Sequence, residues 1–182
     1  DYTQTVTIDE GKTVTINTTL TKQTATSTTT SPTAAKGKTS APYKVGDYYN
    51  DGTKEGVVFE VSADGKHGKI VSMTQSASRL QWSSDKTEQK RLIGADSKTN
   101  GAYNMAKVKA RPDWQSKYPA FKWCTDLGDG WYLPAKEELL TIYSNKDVVN
   151  ANLVYKLSSS YYYYWSSTEK QFYDEFCAWN VR

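Results

Sequence analysis

Histidine and cysteine are scarce: one His, His67, and two Cys, Cys124 and Cys177, stand among 182 residues. A single imidazole in a turn-like stretch beside Gly65 and Gly68, with no cysteine near it, gives neither a zinc site nor a His-based triad. His67 therefore reads as an exposed turn residue. Two cysteines so far apart exclude a local Cys-x-x-Cys metal or redox site. Two readings remain: a pair of free buried thiols, or one long-range disulfide. Exported, Thr- and Ser-rich surroundings favour the disulfide, which would stabilise the fold by on the order of 4 kcal/mol. Leu, Ile and Val are thin outside a few short runs, which counts against an all-helical bundle. No stretch approaches the roughly 20 apolar residues of a membrane span. The net charge is only +3. The groups Lys86, Lys90, Arg91 and Lys107, Lys109, Arg111 are sparse and joined to no binding motif, so they read as solvated faces and no nucleic-acid partner is expected. The chain begins at Asp1 and shows no signal peptide; it reads as a processed or excised fragment whose export signal has been removed.

Aromatic residues are abundant. Six Trp and fourteen Tyr offset an apolar content of 37%, because each large ring buries much area. The length suits one domain plus an appendage. Residues 1–20 alternate around Glu10-Gly11, with Val6, Ile8, Val14 and Ile16 as the apolar positions, and predict a β-hairpin. Two strands alone are marginal in water, so this hairpin reads as the tail of a preceding β-domain or as an appendage packed on the main one. Residues 21–42 are Thr, Ser, Ala, Lys and Pro, a composition that cannot offset its ordering entropy by burial; they read as a linker.

From residue 43 to 182 the texture is that of a domain. Asn50-Asp51-Gly52 marks a turn. Gly56–Val61 and Gly68–Met73 flank Asp64-Gly65, a hairpin signal, and Leu80-Gln81-Trp82 reads as a further short strand. Asn100 can cap a helix through Ala102, Met105, Ala106 and Val108. Tyr118, Phe121, Trp123, Cys124 and Leu127 predict a second helix, stopped by Gly128 and Gly130. Pro134 is placed as a first-turn proline, with Glu137 and Glu138 favouring the helix N-terminus and facing solvent, and Asn145 ending the helix. Ser158 to Arg182 is aromatic and strand-like, broken at Glu169-Lys170-Gln171. Strands, then two to three helices, then strands make an α+β domain with antiparallel strands.

The runs Val45-Gly-Asp-Tyr-Tyr49, Gly56-Val-Val-Phe59, His67-Gly-Lys-Ile-Val71, Leu80-Gln-Trp82, Tyr118-Pro-Ala120, Trp123-Cys124, Gly130-Trp-Tyr-Leu-Pro134, Glu137-Glu-Leu139, Tyr164-Trp-Ser-Ser-Thr-Glu169 and Ala178-Trp179 follow one another over about three quarters of the chain. In that order and spacing they resemble a family of exported bacterial domains. It includes the C-terminal adhesive domain of the Legionella collagen-like protein and many Bacteroides surface proteins, and it is related to the variable proteins of diversity-generating retroelements. The resemblance implies a C-type-lectin-like fold, secretion or display on the outer cell surface, and ligand binding without catalysis or cofactor. It also implies a protein or glycan partner on another cell or surface, and a long structural disulfide between Cys124 and Cys177. The chain departs from the sugar-binding members. It has Trp179-Asn180-Val181 where they carry Trp-Asn-Asp, and no Glu-Pro-Asn or Gln-Pro-Asp. Asp174, Glu175 and Asn180 cannot alone supply the six to eight oxygens calcium takes, so no metal is expected. Relatives continue past the Ala-Trp pair with a Gly-containing hairpin, whereas here the chain stops at Arg182; either the domain is truncated or its closing strand is built differently.

The candidate ligand-binding residues are Tyr161, Tyr162, Tyr163 and Tyr164, with Phe172, Tyr173, Asp174 and Asn180 beyond a charged turn. Residue types of this kind are those that templated adenine mutation produces in variable proteins. On a strand, Tyr161, Tyr163 and Trp165 share one face, and Tyr162 and Tyr164 the other. One face must be core; the other would offer Tyr as large, low-entropy contacts. Trp131, Leu133, Trp165 and Trp179 read as core. Adjacent Glu137 and Glu138 diverge on a helix and cannot face each other across a cleft as glycoside hydrolysis requires. Two alternatives stand beside the binding module: a pilus-tip or other structural adhesin subunit whose N-terminal hairpin docks on a neighbour, and, less favoured, an enzyme of the formylglycine-generating type with the cysteines at a copper site.

Overall fold

A computed structural model describes residues 3–5, 42–85, 92–157, 164–172 and 175–181, with backbone alone for 3–5, 171–172 and 175–181. In chain order the elements are β1 (Thr3–Thr5), β2 (Tyr48–Asn50), β3 (Glu55–Val61), β4 (Gly68–Ser72), α1 (Gly101–Lys109), α2 (Trp114–Lys117), α3 (Pro119–Asp126), α4 (Lys136–Ser144), α5 (Lys146–Asn152), β5 (Tyr164–Phe172) and β6 (Glu175–Val181). One antiparallel sheet runs β1-β4-β3-β2, and a second pairs β5 with β6. This is an α+β chain, with five helices among the described residues where two to three were expected. The surplus is a single turn, α2, and α5, which begins after only Asn145, so Asn145 joins two helices instead of ending the helical region.

Strand β3 is central, and Gly56-Val57-Val58-Phe59 is buried without alternation. Both faces of the sheet are covered, which is what a continuous apolar run requires. Val57, Phe59 and Val71 pack with Leu139 and Ile142 of α4, Val149 of α5, and Leu153 and Tyr164. Val58 and Ile70 pack with Trp131 on the opposite side. The β3–β4 register slips at Phe59, so that Val58 faces Ile70 and Glu60 faces Lys69. This bulge sets the Glu60 carboxylate 3.0 Å from the Lys69 amine.

Turn chemistry explains the connections. Asp51 Oδ1 accepts from the Thr53 and Lys54 N–H groups and the Thr53 hydroxyl, and Tyr49 OH donates to Oδ2. Partial burial pushes the Asp51 carboxyl up, but these bonds outweigh it and hold it below the usual 3.8. Asn100 caps α1, its side chain accepting from Tyr103 N–H at 2.9 Å. The first-turn proline belongs to α3, as Pro119; Pro134 lies ahead of α4, whose N-cap is Ala135. Gly128 and Gly130 stop the α3 segment with φ of +120° and +79°, a region that disfavours side chains.

A second core lies among α1, α3 and the 132–133 segment. Met105, Val108, Tyr118, Ala120, Phe121, Cys124, Tyr132 and Leu133 are all buried there. Leu80-Gln81-Trp82 is not a strand but an irregular segment, because Trp82 is drawn inward: its ring stands edge-on to Tyr118 and Phe121, with centroids 5.6 and 5.1 Å away. Of the expected 1–20 hairpin only Thr3–Thr5 lies within the described residues, and it pairs with β4 of the main sheet. The linker reading for 21–41 lies outside them.

Candidate functional site

The segment Tyr164-Trp-Ser-Ser-Thr-Glu169 opens β5, and its neighbours account for its composition. Tyr164 is 4% exposed in the sheet–helix core. The Trp165 indole N–H donates to Leu80 O, and the Trp82 indole N–H donates to Ser166 O, both at 2.9 Å. Ser167 N–H donates to Pro134 O at 2.7 Å. Thr168 Oγ1 donates to Ser97 O and accepts from Lys136 N–H. The Glu169 carboxylate accepts from the successive N–H groups of Ile93, Gly94 and Ala95 at 2.8, 3.0 and 3.1 Å, a concave run made possible by Gly94 at φ +81°. Burial raises the Glu169 carboxyl; the three N–H bonds lower it and Asp96 raises it, and the balance lies above the ordinary value. The expected break at Glu169-Lys170-Gln171 is absent, because these residues continue β5 to Phe172.

The second landmark, Gly130 to Leu139, meets the first through Glu138 and Asn104. Glu138 is 3% exposed, not the solvent-facing acid its position on an N-terminal turn implied. Its Oε2 accepts from Ala135 N–H at 2.8 Å and Gly101 N–H at 3.1 Å. Its Oε1 accepts from Tyr132 OH at 2.9 Å and lies 3.1 Å from the Lys69 amine. Four donors occupy the roughly four lone-pair positions of a carboxylate. Burial lowers the Lys69 amine, but the Glu138 and Glu60 carboxylates outweigh it and hold it above its usual 10.5. Asn104, fully buried on α1, bonds both backbone groups of Ser97 and the Ser167 hydroxyl. Sequence reasoning missed Glu138, Lys69 and Asn104. A polar residue on the buried stripe of α1, and Glu at the third helical position as in a capping box, were the available signals.

Close approach at Gly101 binds the same elements. A Cβ there would lie 2.5 Å from Leu133 O and 2.6 Å from the Tyr132 ring. Gly101→Ala is therefore expected to lose about 1–3 kcal/mol of stability through overpacking. Urea titration reads this as a lower midpoint at constant slope, and an unchanged midpoint would refute the close contact.

Of the candidate binding residues, Tyr164, Phe172 and Asn180 lie within the described residues. Tyr164 is core and does not offer a ligand surface; the inward face of β5 claims it. Tyr161, Tyr162, Tyr163, Tyr173 and Asp174 lie outside the described residues. Phe172 pairs with Glu175 at one end of the β5–β6 hairpin and Asn180 with Trp165 at the other, about 17 Å apart along β6 at ~3.3 Å per residue. These two do not form one compact cluster. Cys124 is a free thiol, wholly buried on α3; the side chain of Cys177, its expected disulfide partner, lies outside the described residues. The surroundings of Cys124 are the apolar α1–α3 core, and burial pushes the thiol well above its usual range, keeping it protonated. Cys177 lies on β6, opposite Lys170 in register.

Glu138 and Glu169 are thus committed to protein donors. Glu138 has no lone pair left to abstract a proton or bind a cation. The buried Ser166 Oγ has no hydrogen-bond partner, hence no base in contact to activate it as a nucleophile. Among the described residues no group of three or more His, Cys, Asp or Glu is placed to share a metal ion, and no helix is long and apolar enough to cross a membrane. The chain matches no protein-family model, no curated protein and no solved structure.

Proposed function

We propose that the chain is a ligand-binding module with a C-type-lectin-like scaffold, secreted or displayed on the outer cell surface. It would bind a protein or glycan through the aromatic residues that flank the anchored part of β5: Tyr161, Tyr162 and Tyr163 before it, and Phe172, Tyr173, Asp174 and Asn180 around the hairpin. The supporting observation is the anchoring itself. Tyr164 to Glu169 are tied to the 80–82, 92–97 and 134–136 segments, the kind of fixed support that a preorganised site beside this stretch would need. The chemistry would be Tyr stacking and hydroxyl hydrogen bonds, which give large contact area at small entropic cost. A role as a diversified variable protein agrees with the Tyr-, Asp- and Asn-rich composition of the same stretch.

The triple variant Tyr161→Ala/Tyr163→Ala/Tyr173→Ala is expected to lose binding on an array of printed glycans and extracellular-matrix proteins, at least 10-fold in apparent affinity, while its thermal midpoint stays within about 2 °C of the parent. On this reading the three Tyr side chains face the ligand: surface substitutions cost stability only weakly, whereas central aromatics carry interface energy. Retained binding, or loss of the folded state, refutes this assignment.

A further inference from the structure

The outer edge of β4 is covered, among the described residues, by one short strand. On its inner side β4 pairs with β3 from Gly68 to Ser72. Its Ile70, Val71 and Ser72 are buried, like those of a central strand. An edge with that composition, carrying open N–H and C=O groups, is a template for another strand. Among the described residues β1 covers it, with three residues in antiparallel register: Thr3 opposite Val71, Gln4 opposite Ile70, Thr5 opposite Lys69. Such a short pairing has little cooperativity of its own and exchanges readily.

Residues 6–41 join β1 to the rest of the domain. Fully extended, a segment of that length spans at most about 120 Å at ~3.3 Å per residue, several times the diameter of a domain of this size. The covalent connection therefore does not restrict β1 to the β4 edge of its own molecule. An exchanged pairing makes the same hydrogen bonds in the same register and needs no new interface, which is why swapping is a low-cost route to dimers.

We propose that the β4 edge is a strand-acceptor site for the N-terminal strand of a second copy, exchanged reciprocally to give a two-fold dimer. The occupant is Thr3–Thr5 of the other molecule, and the pairing runs opposite Lys69–Val71. This dimer is independent of the aromatic ligand site.

The test uses two differently tagged full-length chains, one Thr3→Cys and the other Val71→Cys. Directly opposed residues in an antiparallel pair have Cβ atoms about 4.5–5.5 Å apart, within reach of a disulfide after slight adjustment. Unfolding, mixing, refolding and mild oxidation should give a heterodimer carrying both tags on a non-reducing gel. Absence of the heterodimer, with efficient intramolecular closure in the Thr3→Cys/Val71→Cys double variant, overturns the proposal. Sedimentation velocity of cysteine-intact chains is the second measurement, free of any core substitution. The full chain should show a concentration-dependent dimer that is lost in the chain lacking residues 1–5. Equal masses for the two, whether monomer or dimer, would overturn it as well.

Discussion

Glu138→Ala is expected to lower the unfolding free energy by about 3–5 kcal/mol, the cost of removing one partner from a buried charge pair. The deletion strands four donors at once: the Lys69 amine, Tyr132 OH, and the N–H groups of Gly101 and Ala135. Glu60 remains 3.0 Å from Lys69 and retains part of the attraction, which keeps the loss within that range. Glu138→Gln separates charge from shape. The amide fills the same space, but its NH₂ must point either at Lys69 and Tyr132 or at the two backbone N–H groups, donor against donor. Urea unfolding with both variants measures the effect, and equal stability of Glu138→Gln and the parent would refute it. The pH dependence has a definite sign. Lys69 is held above its usual 10.5, so its contribution is complete below that value and declines as pH rises through the folded pKa. In Glu138→Gln the decline should begin at lower pH.

Phe121→Ala is expected to cost about 3–5 kcal/mol, the range for a fully buried aromatic replaced by Ala. Phe121 is 0% exposed. It stands edge-on to Trp82 and Tyr118, with centroids 5.1 and 5.9 Å away. Trp82 in turn donates to Ser166 O, so the cavity also loosens the indole that fastens β5 to the 80–82 segment. Near-ultraviolet circular dichroism should lose aromatic intensity in parallel with the drop in urea midpoint. A midpoint shift without a spectral change would show that Trp82 keeps its place unaided.

Local chemistry was legible in the residues and long-range chemistry was not. The Asn100 cap, the Asp64-Gly65 turn and the stops at Gly128 and Gly130 depend on neighbours a few positions away, and each is found where turn and cap preferences put it. Leu80-Gln-Trp82 looked like a strand because two apolar residues alternate about a polar one. It is irregular because Trp82 and Trp165 exchange indole N–H bonds with backbone carbonyls more than eighty residues distant. Glu138 looked solvent-facing because its partners Lys69 and Gly101 belong to a strand and a helix that no local pattern links to it. On β5 Tyr164 joins the core under the sheet while Trp165, next in sequence and on the opposite face, packs on the core around α3, so strand parity alone does not choose a free face.

The position of β5 also dictates when this chain can fold. Tyr164 completes the core under the sheet and Trp165 packs on the core around α3, yet both come late in synthesis. Until residue 169 has left the ribosome, the 92–97 loop lacks the carboxylate that gathers its N–H groups, and Asn104 lacks Ser167. Contacts spanning 63 to 85 residues place the fold in the slow regime of non-local topologies, milliseconds to seconds. At roughly 5–20 residues per second of elongation, the strands and helices ahead of β5 wait several seconds with apolar faces uncovered. The C-terminal hairpin is thus the event that closes both cores together.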